Sequence, residues 1–551
     1  MAPRPDAGAT ALQLILGAGL AIAGVTVAAQ GQNAPGSTQS RAASPAQPPG
    51  APLLDSERGG AGAALRSGRR QRGPGPDSEW SYGVDSRLTL SDNIGLAPPG
   101  NERSGTILEV SPFLRGEVNR PRLQASLDYA LRNFYTTPDV GYEGPLHDLR
   151  GFGNAALVGD WLWLAGEALT YQLNPSPFGV TSADPASRGG NRQRYAQYGL
   201  SPYVQGWIGP STSYRAGYAI GVTEFGDNPA DSTAHQLFGR VRRDPSVHRL
   251  GWQASADGTQ REFEDGSDYD TTNAMLLGLY RASPTLLVGA GANYSRISVV
   301  ADDSGDIGGW GPSALLYWSI TPRTLLSLQA SKAYYGKHGS AALTHRTGNL
   351  TFALEYQQGI MDGLQAGLIA TGQPGFGDFG AGSGAGPGTG TDTVADELGN
   401  RGILPGFGTP LASGLLGGAL VENRRLTATV GWLRQRNAVS LTAFTNRSDA
   451  VQTTEPLPAA ISGLNDLDQR GAILRYDRRL SLETTASLQG AFTRSESDGS
   501  ALESDLKVFD AQLSRTFGRR TSGSIGYRRS EQSGSARYRE NAILATLSLR
   551  F

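Results

Sequence analysis

A regular alternation of apolar and polar side chains is the feature that most limits what this chain can fold into. From residue 80 onward, Trp80, Tyr82 and Val84 alternate with small or polar residues, and comparable segments recur as far as the last residue, Phe551. A period of two residues is typical of β-strands with one apolar and one polar face. The sequence therefore predicts an all-β structure for residues 80–551.

A soluble β-sandwich would show the same alternation of apolar and polar residues as a membrane β-barrel. The length of chain over which the pattern extends therefore has to distinguish these two folds. The alternation continues through residues 80–551, and 75 Gly, 31 Pro and only 38% hydrophobic residues argue against a helical enzyme. Beyond the amino-terminal region no stretch reaches the roughly 18 consecutive apolar residues of a membrane-spanning helix. Only closed barrels cross membranes with strands. We predict a transmembrane antiparallel up-and-down β-barrel in the outer membrane of a Gram-negative bacterium.

The connections between the predicted strands set the strand number. Short turns, such as those at Gly209-Pro210 and Thr321-Pro322, alternate with longer connections and are typical of the periplasmic end of a barrel. An additional ascending strand at 363–371 restores this alternation after residues 350–356. The prediction is about 22 strands, within 20–24, with both termini in the periplasm.

Three further segments complete the predicted organisation. Residues 1–29 resemble a cleaved signal peptide, with a membrane anchor as the alternative. Residues 30–79 predict a disordered periplasmic tail, too short to be the folded plug of a TonB-dependent receptor. Within the barrel region 80–551, the Gly-rich segment 372–422 predicts a long extracellular loop, either outside or folded into the lumen, where it would restrict a wide pore.

The charge balance and the motifs exclude several functions. A net charge of -1 gives no basis for nucleic-acid binding, and the chain has no cysteine. No catalytic motif has adequate context, although His147 or His235 could pair with a loop serine in a barrel enzyme. The acidic segment 262–270 could bind Ca²⁺ or Mg²⁺, but a solvated loop is the simpler interpretation. We expect no enzyme, no cofactor and no metal.

Charged residues at the inward positions of the predicted strands are candidates for the lumen wall. Such charges set selectivity in barrels, or they pair across strands without any transport role. The predicted lumen-lining residues are Arg87, Glu109, Arg115, Glu117, Asp128, Arg132, Arg215, Arg240, Arg242, Asp257 and Asp510.

Local signals predict three further features. The aromatic carboxyl-terminal residue, Phe551, resembles the signal that the barrel assembly machinery recognises. Prolines in two similar segments predict β-bulges at Pro112 and Pro202. Most tryptophans fall near predicted periplasmic strand ends and predict an aromatic girdle beside outer-membrane lipid and lipopolysaccharide; they are Trp80, Trp161, Trp163, Trp207, Trp318 and Trp432.

The first predicted strands resemble those of the PEP-CTERM-system-associated outer-membrane proteins, a family of porin-like barrels. The resemblance rests on residues 88–97 (LTLSDNIGLA), 110–114 (VSPFL) and 127–129 (LDY), together with the barrel pattern. It implies a gene beside exopolysaccharide synthesis and export genes, and a part in polymer export or surface assembly. The Gly-rich loop and the Pro/Arg-rich tail depart from the family pattern.

Three functions follow as hypotheses. The first is an outer-membrane pore or export channel, linked to exopolysaccharide export or surface assembly, with polysaccharide or export-system proteins as partners. The second is a non-conducting structural barrel that anchors periplasmic partners through the tail. The third is a barrel enzyme acting on lipid or polysaccharide.

Overall fold

The architecture is a single sheet of 22 antiparallel strands. A computed structural model describes residues 78–551 apart from 138–144, 174–177, 183–190, 225–230, 246–248, 265–267, 300–306, 334–335, 363–419, 451–465, 498–500 and 519. The strands are β1 Ser78–Ser91, β2 Gly105–Arg120, β3 Leu123–Thr137, β4 Leu146–Val158, β5 Leu162–Leu173, β6 Gln193–Ile208, β7 Thr212–Glu224, β8 Ser232–Arg243, β9 Leu250–Phe263, β10 Tyr269–Ser283, β11 Leu286–Val299, β12 Ile307–Thr321, β13 Thr324–Ala333, β14 Gly336–Arg346, β15 Leu350–Asp362, β16 Leu420–Arg434, β17 Asn437–Ala450, β18 Asp466–Arg479, β19 Thr484–Ser497, β20 Glu503–Thr516, β21 Thr521–Gly534 and β22 Tyr538–Arg550.

The sheet closes on itself through its first and last strands. Each strand pairs with its neighbours in the sequence, and β1 also pairs with β22 from Gly83↔Arg550 to Ser91↔Ala542. Closure leaves no free sheet edge, which is the condition for a barrel in a lipid bilayer. The predicted antiparallel barrel of 22 strands is confirmed, and β1 begins at Ser78, two residues before the expected start. The predicted signal peptide and the tail up to residue 77 lie outside the described residues.

Short turns gather at the barrel end where β1 begins and β22 finishes. Connections such as 121–122, 284–285, 322–323 and 435–436 have two residues each. Glycines at two other turns, Gly159 and Gly209, have positive φ angles of 53° and 65°, a conformation that glycine adopts without steric cost. Because short turns mark the periplasmic side of bacterial barrels, both strand termini face the periplasm.

The prediction of an ascending strand at 363–371 within the sheet is wrong. β15 pairs directly with β16, from Leu350↔Trp432 to Asp362↔Leu420, and no strand lies between them. The alternation is satisfied instead by β14, which descends to a turn at 347–349 before β15 ascends. The connection between β15 and β16 is therefore 363–419, lies at the extracellular end, and is outside the described residues.

The prolines at which bulges were expected, Pro112 and Pro202, interrupt hydrogen bonding without shifting the register. The β2–β3 ladder resumes at Phe113↔Ala130 with the same register that it had at Val110↔Asn133. The β6–β7 ladder likewise keeps its register across Pro202. The missing proline N–H groups thus leave a gap rather than the expected bulge. Register shifts occur instead near periplasmic turns, as between Ala156 and Val158.

The outer face of the barrel is apolar and exposed. Leu237, Leu276 and Ile525 are 67%, 58% and 57% exposed, although each belongs to a well-paired strand. Bare apolar side chains on a closed sheet are suited to contact with lipid. The protein is an outer-membrane barrel. Among the described residues, no helix has the length and apolarity needed to span a bilayer.

Candidate functional site: the inner wall of the barrel

The alternation of each strand separates an exposed outer face from a buried inner one. On β1, Leu88 and Leu90 are 38% and 45% exposed, whereas Arg87 and Thr89 between them are 7% and 1% exposed. Since consecutive side chains point to opposite faces of a sheet, the polar residues of β1 line the interior. The same parity carries through the register of every neighbouring pair around the barrel.

This register places all the predicted lumen-lining residues on the inner face. They fall in three sectors, and their role in selectivity stays a prediction. The β1–β3 sector holds Arg87, Glu109, Arg115, Glu117, Asp128 and Arg132; the β7–β9 sector holds Arg215, Arg240, Arg242 and Asp257; and β20 holds Asp510.

Ion pairs cross the strands of the first sector. Arg132 donates two hydrogen bonds to Glu109, at 2.6 and 3.1 Å, and the Ser111 hydroxyl donates a third at 2.9 Å. Arg115 binds Asp128 at 3.1 Å in a more exposed position. Charges that are paired and hydrogen-bonded tolerate burial. The ion pairs between β2 and β3 therefore hold these side chains in fixed positions on the wall.

A second charged group lies on β18–β22 and was not predicted. Arg475 donates to both carboxylate oxygens of Asp477, at 2.8 and 3.1 Å, and both side chains are buried. Arg528 lies 3.3 Å from Glu540, with 4% and 1% of the side chains exposed. The predicted Asp510 interacts electrostatically with Arg528, Arg87 and Arg475. Cross-strand register, which links residues far apart in the sequence, is needed to find such a network.

Neutral polar groups line much of the wall between these charges. The Asn423 amide donates to the Asn446 carbonyl and to the Ser448 hydroxyl, both at 2.9 Å, and Gln469 donates to Ser495 at 3.1 Å. An apolar sector on β10–β12 is the contrast, with Leu277, Leu279 and Leu287 buried beside Met275, Leu315 and Tyr317. The inner wall is therefore polar over most sectors and apolar over one.

Aromatic rings lie flat on the wall where a glycine makes room for them. A Cβ at Gly217 would lie 2.6 Å from the Tyr203 Cβ and 2.7 Å from the Phe238 Cζ. The Arg215 guanidinium then lies over the Tyr203 ring, 4.1 Å from its centre, and 6.0 Å from the Phe238 ring. A stack of this kind holds a guanidinium in a fixed orientation.

These rings belong to a group near the periplasmic end, which we call the periplasmic-end cluster: Trp163, Tyr203, Arg215, Phe238 and Arg240. Trp163 stacks on Tyr203 with ring centres 6.4 Å apart and planes at 13°. Arg240 donates to the Gln253 side chain at 2.9 Å. All five residues lie on the inner face close to the periplasmic turns of β5–β8.

Trp163 and the two candidate histidines have different surroundings from those predicted. Trp163 packs inward against Tyr203, and Trp207 shares the inner face with Tyr203, so neither belongs to the outer girdle. Trp80 and Trp318 are exposed on the outer face. His147 and His235 lie on the outer face, paired with the hydroxyls of Tyr129 and Tyr218 at 2.9 and 2.5 Å. Neither histidine is bonded to a serine in these contacts.

Two connections at the extracellular end fold against the inner wall, and we call residues 92–104 and 178–182 the mouth loops. Leu96 is 2% exposed and packs with Leu506, Val508 and Tyr538, all on inner positions, while Val180 packs against the same cluster. Since 178–182 belongs to the β5–β6 connection and Tyr538 to β22, this contact reaches across β1–β4. The mouth is therefore narrowed by described residues.

Side-chain hydrogen bonds hold the mouth loops in place. The Gln532 side chain donates to the Gly179 carbonyl and accepts from the Thr181 N–H, both at 2.9 Å. The Tyr538 hydroxyl donates to the Thr181 carbonyl at 2.7 Å. The predicted restriction by residues 372–422 falls almost wholly outside the described residues and stays a prediction.

The described residues contain no group of three or more His, Cys, Asp or Glu side chains placed to hold a metal ion. The described part of the acidic segment 262–270 is among these residues. There, the Asp268 carboxylate accepts a hydrogen bond from the Phe263 N–H at 2.8 Å, a contact that closes the turn.

Known barrels resemble this one in fold at very low sequence identity. Neither a family model nor a curated protein matches the chain. The FrpB iron transporter from Neisseria meningitidis (F5-1 variant) has a TM-score of 0.49 at 8% identity, covering 86% of this chain and 81% of that one. The siderophore receptor PirA from Acinetobacter baumannii has 0.44 at 10%, covering 86% and 80%. OpdQ from Pseudomonas aeruginosa has 0.33 at 9%, covering 86% and 99%.

Proposed function

We propose that this protein is an outer-membrane channel for exopolysaccharide export or surface assembly. The observation that carries the proposal is a closed barrel with its apolar residues outside and a mainly polar wall inside. A polar wall replaces the hydrogen bonds that a hydrated solute loses when it enters a narrow space. Export-system proteins and polysaccharide are the proposed partners, with lipopolysaccharide outside and the assembly machinery during insertion.

The nature of the wall favours sugars among polar solutes. Hydroxyls at half-buried inner positions, such as those of Thr429, Thr442 and Ser524, present donors and acceptors without a net charge. The half-buried Trp163 ring offers a flat apolar face of the kind that packs against the C–H face of a sugar ring. The resemblance to the PEP-CTERM-associated barrels supports the same assignment, since their genes accompany exopolysaccharide loci.

The test is export of polysaccharide by cells that lack this gene. We expect extracellular polymer to fall and periplasmic polymer to accumulate after deletion, and the wild-type gene to restore export. A barrel with Arg447→Gln, a change on the outer face, should restore it equally. Unchanged extracellular polymer in the deletion strain would contradict the proposal.

A structural barrel is the second candidate, and a specific observation favours it. The mouth loops pack into the extracellular end, and the charged pairs Arg475–Asp477 and Arg528–Glu540 are directed to each other. A wall whose charges satisfy one another can stabilise a barrel without conducting. Conductance of the refolded protein separates this function from a channel.

We propose a transport role and not an enzymatic one. The two histidines considered for catalysis are bonded to tyrosine hydroxyls, and neither is bonded to a serine in these contacts. A serine hydrolase would need its histidine in hydrogen-bond reach of the nucleophile.

A further inference from the structure

Arginine dominates one sector of the inner wall. On the described strands β7–β10, the inner positions carry Arg215, Arg240, Arg242, Arg261 and Arg281, whereas Asp257 is the acidic residue among them. Asp257 accepts a hydrogen bond from Asn273 at 3.0 Å, and Arg281 lies 3.8 Å from Asp244 in the β8–β9 turn. The sector therefore has a positive balance, unlike β1–β3, where arginines and carboxylates alternate.

The positive charge is concentrated near the periplasmic end. Arg215 pairs in register with Arg240, and Ser213 with Arg242, close to the start of β7 and the end of β8. Like charges directly opposite each other destabilise a sheet. Three arginines on adjacent strands form a basic surface of the kind that attracts a ligand with several negative charges.

The aromatic residues of the periplasmic-end cluster extend this basic surface onto β5 and β6. Trp163 is half-buried and stacks on Tyr203, which in turn lies under the Arg215 guanidinium. The guanidinium is thereby held against the Tyr203 ring. A fixed planar donor matches the two oxygens of a carboxylate, and the neighbouring indole matches a sugar ring.

We infer that the periplasmic-end cluster is an entry subsite for an acidic polysaccharide. Arg215 and Arg240 bind carboxylates of the polymer, and Trp163 packs against one of its sugar rings. The inference rests on the proposed function, because it names the class of polymer that the channel admits. Placement at the periplasmic end suits capture of a polymer that leaves the cell.

The test is binding of labelled oligogalacturonate, an acidic glycan, to the refolded mature protein in detergent micelles, with neutral dextran oligomers of equal length as the comparison. We expect the acidic glycan to bind at least about tenfold more tightly at low salt, and the difference to shrink as ionic strength rises. Equal affinity for both glycans would overturn the inference.

Matched variants assign the binding to this cluster. Arg215→Gln with Arg240→Gln should remove most of the preference for the acidic glycan, whereas Arg447→Gln on the outer face should keep it. Trp163→Ala should weaken the binding of both glycans. If the double variant fails to fold, as judged by heat-modifiable migration, Arg215→Lys with Arg240→Lys retains the charge but loses the planar donor, and should reduce the preference in part. A full preference in a folded double variant would contradict the inference.

Failure of the subsite and failure of the channel give different results. Preferential binding in micelles without conductance in bilayers would support the subsite and contradict the channel. Conductance without preferential binding would support the channel and contradict the subsite.

Discussion

At the scale of single residues, the direction of a side chain decides its effect in this barrel. Leu127 and Gln124 lie on the same strand, β3, but on opposite faces, since Leu127 pairs with Gly116 and Gln124 with Asn119. The first faces lipid and the second faces the interior. A charge placed on the lipid side loses its hydration, while one on the interior side keeps water or polar neighbours.

We therefore expect Leu127→Arg to impair folding far more than Gln124→Arg. Arginine on the lipid face should cost up to roughly 2–4 kcal/mol if it reaches the bilayer midplane. Urea titration of the refolded protein in lipid vesicles measures the difference. Similar losses for both variants would show that the register is wrong.

Buried charge pairs of the inner wall provide a second prediction. Glu540→Ala removes the carboxylate that lies 3.3 Å from the buried Arg528, and also the acceptor to which Ser91 donates at 2.9 Å. Breaking one partner of a buried pair costs about 3–5 kcal/mol. Asp449→Ala removes the partially exposed pair with Arg447 and should cost at most about 1 kcal/mol. Equal unfolding free energies for the two variants would contradict the assigned burial.

At the scale of strands and turns, strong alternation predicted the structure well and weak alternation did not. β14 contains Ala341, Ala342 and Leu343 in succession, so it has no clear apolar face, and its two-residue connection at 334–335 is shorter than an expected extracellular loop. β14 supplies the strand that the alternation requires, so the expected strand at 363–371 is not needed. Trp163 was misplaced for a related reason, because Trp161, Leu162, Trp163 and Leu164 are all apolar. The partners that cross strands, such as Arg528 and Glu540, depend on register, which pattern alone does not fix.

The closing strand carries the prediction about assembly. The Phe551 N–H donates to the Tyr82 carbonyl at 2.8 Å, and the two rings lie 6.0 Å apart at the β1–β22 seam. Removing Phe551 should reduce the amount of barrel in the outer membrane more than Phe509→Ala, which removes an exposed outer-face aromatic from β20. Equal membrane yields would argue against a terminal assembly signal.

The mouth loops give a prediction about pore width. Gln532→Ala with Tyr538→Phe removes the side-chain bonds to residues 179 and 181 and should raise single-channel conductance, because the loop is no longer held against the wall. Ser524→Ala, on the inner face near the other end of β21, serves as the control. Deleting residues 375–418 tests the separate restriction predicted for 372–422. If conductance is the same in a normally assembled deletion variant, that segment does not narrow the pore.

At the scale of the whole molecule, one barrel combines a lipid-compatible exterior with an interior divided into sectors. Arginine and aromatic rings are concentrated near the periplasmic end, and packed mouth loops narrow the extracellular end. In the proposed function this arrangement has a direction, with polymer capture at the periplasmic end and restriction of the pore at the extracellular end. The central claim is that the interior is a path through the membrane and not a filled support.

Single-channel recording of the refolded mature protein in planar bilayers tests this claim most directly. Heat-modifiable migration of the same preparation shows that the barrel is closed before the recording. We predict discrete, long-lived conductance steps that are blocked from the periplasmic side by oligogalacturonate at lower concentrations than by dextran. A correctly folded, heat-modifiable barrel that inserts but produces no conductance would contradict the claim.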